Sequence, residues 1–349
     1  LNLEAFIDRY QKIPVEELGA TVPSPVVSVC VPTYNHAGHI AACLDSILAQ
    51  KASFPFEILV GDDASTDGTR EICIEYANKY PERIKLFLHR RENNIEINGR
   101  PTGRFNATYA LLSSRGRYIA ICEGDDMWTD STKLERQVQY LEQHSKTQMV
   151  CTDYSMLFMG SSAQVSNNLR LKNIKDFIYF EDYIIDRSSI CTATCLFRNS
   201  AYREYMASVP FVDQLNFVAG DTPMWLFFAK SEPIAVMPES TAVYRILQDS
   251  ASRFTDPEKH YSFMMKGMEI PEYFVKHFGL GEEFQKKLDA RKARATLNFA
   301  YETNNKELFF KTYRNARKNG LALNRTAQLQ RVLIMSSLLK QLYKRMKNK

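Results

Sequence analysis

The sequence predicts an α/β protein: a mainly parallel sheet flanked by helices, followed by a helical C-terminal region. Three observations carry this expectation. Between residues 26 and 145, β-branched apolar runs alternate with segments of helical spacing, the pattern of a buried parallel sheet joined by crossover helices. Polar clusters stand directly after three of the predicted strands: PTYNH (32–36), GDDASTDGT (61–69) and EGDDMW (123–128). After Pro257 the chain reads as helical to its end.

Residues 1–25 read as a short helix and a proline-bearing linker. VVSVCVP (26–32) is the first buried strand. In GHIAACLDSILAQ (38–50), Ile40, Cys43, Leu44, Ile47 and Leu48 share one helical face. FEILVGDD (56–63) is the second strand, DGTREICIEYANKY (67–80) a helix, and RIKLFLH (83–89) the third strand. RFNATYALLSSRG (104–116) is a helix with Gly116 as its expected C-cap. RYIAICEG (117–124) is the fourth strand, and STKLERQVQYLEQHS (131–145) opens with an N-cap signal. From about residue 147 the alternation becomes irregular. QMVCTDYSMLFMG reads as a strand, ICTATCLFRNSAY as a strand running into a helix, AGDTPMWLFFAK (219–230) as a helix opened by Asp221, and TAVYRI (241–246) as a strand. The expected division is an N-terminal helix and linker (1–25), a catalytic domain (26–255, with halves 26–146 and 147–255) and a helical region (256–349).

In open parallel sheets, ligands bind beyond the carboxyl ends of the strands, and the three polar clusters all fall on that edge. G-x-G-x-x-G and G-x-x-x-x-G-K-[ST] are both absent, so the usual glycine-rich phosphate cradles are missing. Glu123, Asp125 and Asp126 end a run as apolar as IAIC. Three adjacent carboxylates repel one another unless a counter-charge is present. Their hard oxygens suit Mg²⁺ or Mn²⁺, which would in turn hold a nucleotide diphosphate. The plainer alternative is a set of acids that only caps a turn.

The stretches VSVCVPTYNHAGHIAACLDSILAQ, FEILVGDDASTDGTREI and GRYIAICEGDDMWTDSTKLERQV, in that order, resemble the family 2 glycosyltransferases, which have the GT-A nucleotide-sugar-binding fold. The resemblance covers residues 26–145 well and extends more thinly to about 255. It implies that Pro32, Thr33 and Tyr34 line the nucleotide pocket and that Asp63 hydrogen-bonds the base, taken as uracil. It further implies that Asp125 and Asp126 bind a divalent metal and the ribose–diphosphate. Arg104 and Asn106 stand near positions that contact nucleotide or phosphate. Ser65, Asp67 and Thr69 read as turn and cap residues instead. AGDTPMWL resembles the segment that carries the catalytic base, which puts Asp221 forward. YRILQDSAS (244–252) departs from the family at Leu247, where a histidine is usual, and leaves Gln248 and Arg245 as nearby polar groups. Glu123 stands where the family often has Asp. The implied activity is inverting transfer of a sugar from a nucleoside diphosphate donor to a hydroxyl of a glycan or lipid-linked glycan. The alternatives are a nucleotidyltransferase and a non-catalytic nucleotide- or glycan-binding protein on the same fold.

Composition is that of a globular protein, with 45% hydrophobic and 24% charged residues. Seven scattered cysteines without a CxxC pair read as reduced, buried thiols, which points to the cytoplasm. No leader pattern opens the sequence and no apolar run reaches the roughly 18 residues of a membrane span. The net charge of +5 divides into +11 on residues 311–349, which contain no acid, and −6 on the rest. In RVLIMSSLLKQLYKRMKNK (331–349), Val332, Met335, Leu339, Leu342 and Met346 form an apolar stripe beside a basic face. That segment reads either as a helix packed on the body or as one lying on an anionic membrane surface. No nucleic-acid-binding motif accompanies the charge.

Overall fold

The computed structural model describes residues 1–97, 99–159, 163–165, 176–186, 190–210, 217–247 and 256–336. It divides into two compact units. The first is Leu1–Asn216 with Gly220–Gln248, and the second is Phe217–Ala219 with Asp249–Lys349.

The first unit is built on one sheet. Its first helix is α1 (Leu3–Tyr10), followed by a short strand β1 (Glu16–Leu18). The alternation then runs β2 (Val27–Thr33), α2 (Ile40–Leu48), β3 (Phe56–Asp62), α3 (Thr69–Lys79), β4 (Ile84–Leu88). After the two-residue strands β5 (Glu96–Ile97) and β6 (Arg100–Pro101) come α4 (Arg104–Ser113), β7 (Tyr118–Ile121), β8 (Met127–Trp128) and α5 (Lys133–Gln143). The later part adds β9 (Met149–Phe158), β10 (Ala163–Val165), β11 (Phe177–Ile178), α6 (Phe180–Asp186), β12 (Leu196–Arg198), α7 (Asn199–Ser208), α8 (Asp221–Ser231) and β13 (Ile234–Ile246).

The sheet order is β1-β4-β3-β2-β7-β12-β9-β13-β11. Its six longest strands, β4, β3, β2, β7, β9 and β13, all point the same way. This is the mainly parallel α/β sheet expected from the alternation. β2 is buried along nearly its whole length and β3 throughout, which is why both read as mainly apolar runs. Each fully buried Val or Ile contributes about 1.5–3 kcal/mol, and the charge that β3 carries near its start, Glu57, is partnered, accepting from Ser28 Oγ at 2.6 Å and from Arg115 Nη2 at 2.8 Å.

Four local expectations are corrected. The linker holds β1, which pairs antiparallel with β4 through Glu16–Leu88 and Leu18–Leu86; three residues are too few for a period to show. Gly116 does not cap α4. A Cβ there would lie 2.5 Å from the Ser28 nitrogen and 2.7 Å from the Val27 carbonyl carbon, so glycine serves the close passage past β2. The cap signal before α5 acts through Asp130, whose Oδ1 accepts from the Thr132 nitrogen at 2.8 Å and its hydroxyl at 2.7 Å. In ICTATC a 3-10 turn (Thr192–Thr194) replaces the expected strand, with the Thr194 hydroxyl donating to the Cys191 carbonyl at 2.7 Å. Only Leu196–Arg198 is extended, and it inserts antiparallel between β7 and β9. All seven cysteines are buried free thiols.

The second unit is helical where it is described: α9 (Pro257–Gly267), α10 (Glu269–His277), α11 (Glu282–Glu302), α12 (Lys306–Lys318) and α13 (Arg325–Leu333). Asp256, Asn305 and Asn324 cap α9, α12 and α13 with their side chains. Leu297, Ala300, Tyr301, Phe309, Ala327, Leu333 and Ile334 form the core of α11–α13. Among the described residues, no helix is long and apolar enough to cross a membrane. Gln248, Leu339, Leu342 and Met346 lie outside the described residues.

Candidate functional site

The carboxyl ends of β2, β3 and β7 meet at one edge. Beyond β2, Thr33 is buried and Tyr34 is 41% exposed. Asn35 then takes a left-handed conformation (φ 54°), which asparagine tolerates better than most residues. The loop after β3 ties this segment down. Ser65 Oγ accepts from the Asn35 nitrogen at 2.9 Å, Thr69 Oγ1 from the His36 nitrogen at 2.7 Å, and Asp67 Oδ2 from the Ala37 nitrogen at 3.0 Å. Asn106 links the two strand ends from α4, donating to the Gly61 carbonyl at 2.7 Å and to the Thr33 carbonyl at 3.4 Å. Its amide thus holds the scaffold rather than facing outward.

Asp62 and Asp63 divide the work at the end of β3. Asp62 is fully buried and accepts from Arg70 Nε at 2.6 Å. Arg70 also donates to the His89 carbonyl at 2.6 Å, which joins α3 to β4. Asp63 accepts from Arg91 Nη1 at 2.8 Å and from Asn94 Nδ2 at 3.1 Å. Burial outweighs the Arg91 charge and pushes the Asp63 carboxyl up to about 6. The Arg91 guanidinium lies 4.4 Å from the centroid of the Tyr34 ring. Tyr34, Arg91, Asp63 and Asn94 therefore form one connected group: an exposed ring, a stacked cation and a buried acceptor.

The acidic turn after β7 is built differently. The Asp126 nitrogen donates to the Glu123 carbonyl at 2.9 Å and closes the turn. Gly124 sits against β2: its nitrogen donates to the Pro32 carbonyl at 3.0 Å, and a Cβ on it would lie 2.4 Å from Thr33 Oγ1 and 2.7 Å from Thr33 Cβ. Asp126 is 1% exposed, and its Oδ1 accepts from the Arg245 nitrogen of β13 at 2.9 Å. Arg245 itself reaches back, donating from Nη1 to the Asp125 carbonyl oxygen at 2.8 Å and from Nη2 to Met127 Sδ at 2.9 Å. The Arg245 guanidinium thereby ties β13 to the acidic turn. Asp126 is correspondingly buried, with one carboxylate oxygen committed to the Arg245 nitrogen. Asp125 is the member of the pair whose side chain remains open, at 20% exposure, with His36 Nε2 3.9 Å from its Oδ2. The His36 ring is steadied by Thr33 Oγ1, 3.2 Å from Nδ1.

A cavity of about 310 Å³ opens beside the turn. Pro32, Arg104, Glu123, Thr192, Tyr205 and Asp221 are on its wall. Asp221 is the first residue of α8, and its Oδ1 accepts from the Thr222 nitrogen at 2.6 Å. Burial lowers the Arg104 guanidinium to about 10, against the opposing charges of Tyr205 and Asp221. Burial first, then the charges of Asp125 and Asp221, push the Glu123 carboxyl up to about 7. Arg104 is thus brought to Asp221 and Glu123, whereas Tyr34 and Asp63 belong to the group around Arg91.

Among the described residues, no cluster of three or more His, Cys, Asp and Glu side chains is preassembled as a metal site. The donor chemistry nevertheless fits a hard divalent cation. Glu123 and Asp125 present carboxylate oxygens at one turn, and the arginine that touches this turn spends its side chain on a backbone oxygen and a sulfur.

The sequence reading does not single out Arg70, Arg91 or Asn94, and takes in His36 only as the last residue of the PTYNH cluster. Arg91 and Asn94 follow β4 in HRREN, where a fourth strand end could have been added to the three polar clusters.

The family model for glycosyl transferase family 2 matches residues 28–206. The chain belongs to that family, and its fold is of the GT-A type. It is 33% identical over 245 residues to an uncharacterized protein of Mycobacterium tuberculosis, a match that spans 69% of this chain and 65% of that one. It is 31% identical over 228 residues to a Bacillus subtilis protein provisionally named glycosyltransferase EpsE, covering 65% of this chain and 74% of the relative. TuaG of Bacillus subtilis, provisionally named a teichuronic acid biosynthesis glycosyltransferase, is 29% identical over 231 residues, covering 65% and 82%. The fold is similar to that of the mannosyltransferase PcManGT from Pyrobaculum calidifontis, solved with GDP-Man and Mn²⁺, with a TM-score of 0.56 at 19% identity over 99% of this chain and 89% of that one.

Proposed function

We propose that this protein is an inverting glycosyltransferase that moves a sugar from a nucleoside diphosphate, UDP in the first instance, to a hydroxyl of a surface glycan or lipid-linked glycan. The observation that carries the reading is the placement of Asp221 on the same cavity as Glu123, beside the half-open carboxylate of Asp125. The name of EpsE supports glycosyl transfer, and that of TuaG supports transfer into a polymer of the teichuronic acid kind. The ligands solved with PcManGT match the expected donor class and cation.

In this reading the base lies against Tyr34 and Asp63, and Pro32 and Thr33 shape the pocket between base and diphosphate. Asp125 holds the cation, with Glu123 as the neighbouring oxygen donor; Asp126 and Arg245 keep the turn in place. When bound, Mn²⁺ or Mg²⁺ supplies positive charge against the departing diphosphate. Asp221 accepts the proton of the acceptor hydroxyl. The acceptor oxygen bonds to the anomeric carbon from the face opposite the diphosphate while the carbon–phosphate oxygen bond breaks, so the configuration inverts. Arg104 faces Asp221 on the wall of the same cavity. The transferase domain is taken as residues 26–255, with 256–349 as an accessory helical region.

The test is release of diphosphate nucleotide from a panel of UDP- and GDP-sugars with Mn²⁺ and a glycan acceptor. Asp221→Asn is expected to lower the rate by about 10²–10⁴-fold, the range of a positioned general base, with donor binding unchanged. An unchanged rate would remove Asp221 from the chemistry. Absence of turnover with every donor would contradict the enzyme reading.

A further inference from the structure

We propose that the outer face of α13 is a docking surface for an anionic lipid bilayer. The apolar residues of this helix fall on two faces. Ala327, Leu333 and Ile334 are buried in the core of the second unit. Leu329, Val332 and Met335, each three residues from the next, point away from that core and are 41%, 59% and 62% exposed. At 3.6 residues per turn Leu329 and Val332 share one side of the helix, opposite the buried set, and Met335 follows in the turn just past the helix end, its nitrogen donating to the Val332 carbonyl at 3.3 Å. Val332 and Met335, the described residues of that stripe, are therefore outside the face that forms the core of the second unit.

The charge along this stretch of the chain has one sign. Residues 311–336 carry six Lys or Arg and no acid, and Arg314, Arg317, Lys318, Arg325 and Arg331 are exposed. Arg331 rests over the Tyr313 ring, 5.2 Å from its centroid, which fixes its position beside Val332. A stable protein interface needs about 800 Å² per partner, far more than three side chains supply. A bilayer needs much less, because a few apolar side chains enter the headgroup boundary while surrounding cations gain from anionic lipid. Nucleic acid would use the cations but has no use for exposed Leu, Val and Met. The inference deepens the transferase reading by naming where a lipid-linked acceptor is met, and it rests on that reading only for its purpose.

The experiment is co-sedimentation of the full chain with vesicles of phosphatidylcholine alone, or of phosphatidylcholine with phosphatidylglycerol, at low and high salt. Binding to the phosphatidylglycerol vesicles is expected to exceed binding to the neutral ones by about tenfold or more, and to fall with salt. The triple variant Leu329→Ser, Val332→Ser, Met335→Ser is expected to lose most of that binding while keeping its melting temperature and its turnover of a soluble acceptor. Equal binding to both vesicle types would overturn the proposal, as would full retention of binding by the triple variant. Self-association of the wild type, lost in the triple variant, would overturn it in favour of a second copy of the chain. Because turnover of a soluble acceptor is read separately, a failure of membrane binding and a failure of the transferase reading give different results.

Discussion

The tripeptide Gly-Asp-Asp occurs at two strand ends, 61–63 and 124–126, and the two copies are used in opposite order. At the first, Asp62 is the structural member, locked to Arg70, and Asp63 is the one beside the exposed Tyr34 ring. At the second, Asp126 is the structural member, locked to the backbone of β13, and Asp125 is the open one. Their counter-charges differ more. Each acid of the first pair has its own arginine. Among the described residues, the second pair forms no ion pair with lysine or arginine; Arg245 touches it through neutral groups. In the proposed reading, identical residues serve two kinds of ligand: the arginine-paired first acids a base edge, and the open carboxylate of Asp125 a cation.

Removing the open acid of the second pair gives the largest expected effect. Asp125→Ala should lower metal-stimulated turnover by about 10³-fold, the several kcal/mol expected of charge stabilisation at a leaving diphosphate, with little change in melting temperature. Turnover within a few-fold of wild type would break the assignment. Removing the locked acid of the first pair should act on the fold instead. Asp62→Ala leaves Arg70 without its partner and should cost about 3 kcal/mol in chemical denaturation; a loss below about 1 kcal/mol would show that Asp62 is not structural. Gly124→Ala tests the seat of the second pair. Its Cβ cannot fit 2.4 Å from Thr33 Oγ1, so a destabilisation of about 2 kcal/mol is expected, together with weaker metal response.

The smallest effect concerns pH. Asp63 has its folded-state value raised to about 6, above the ordinary 3.8. Between these values the folded protein binds the proton more than the unfolded chain does, so stability falls as pH rises from about 4 to 6. The ionised form is the better acceptor for a base N–H, so UDP affinity should rise by up to about tenfold from pH 5 to pH 7. Calorimetric titration across that range checks this, and Asp63→Asn should flatten both trends.

Much of the first half of the sheet was legible because local periodicity reports it. β2, β3, β4 and β7 and their crossover helices lie where the apolar runs and helical faces put them. Ser65, Asp67 and Thr69, read as turn and cap residues, hold the loop after β3 to the Asn35–Ala37 backbone. The antiparallel β12 was hidden because direction within a sheet depends on a long-range partner, and three residues carry no period. The same limit applied within the site. A run of adjacent acids marks a place, but the choice between Asp125 and Asp126 depends on Arg245, 119 residues from Asp126 in the chain. Likewise, Arg70 and Arg91 reveal their partners only when the loops after β3 and β4 are brought together.

The central claim is that Asp125 couples a divalent cation to nucleotide binding. It is tested most directly by the thermal shift that UDP produces with and without Mn²⁺, in wild type and in Asp125→Asn. A ligand stabilises the fold in proportion to its binding. The wild type should be stabilised by UDP strongly with Mn²⁺ and weakly without it. Asp125→Asn should start from the same unliganded melting temperature and lose the Mn²⁺-dependent increment. A full increment in Asp125→Asn, or an equal shift in wild type with and without Mn²⁺, would contradict the account.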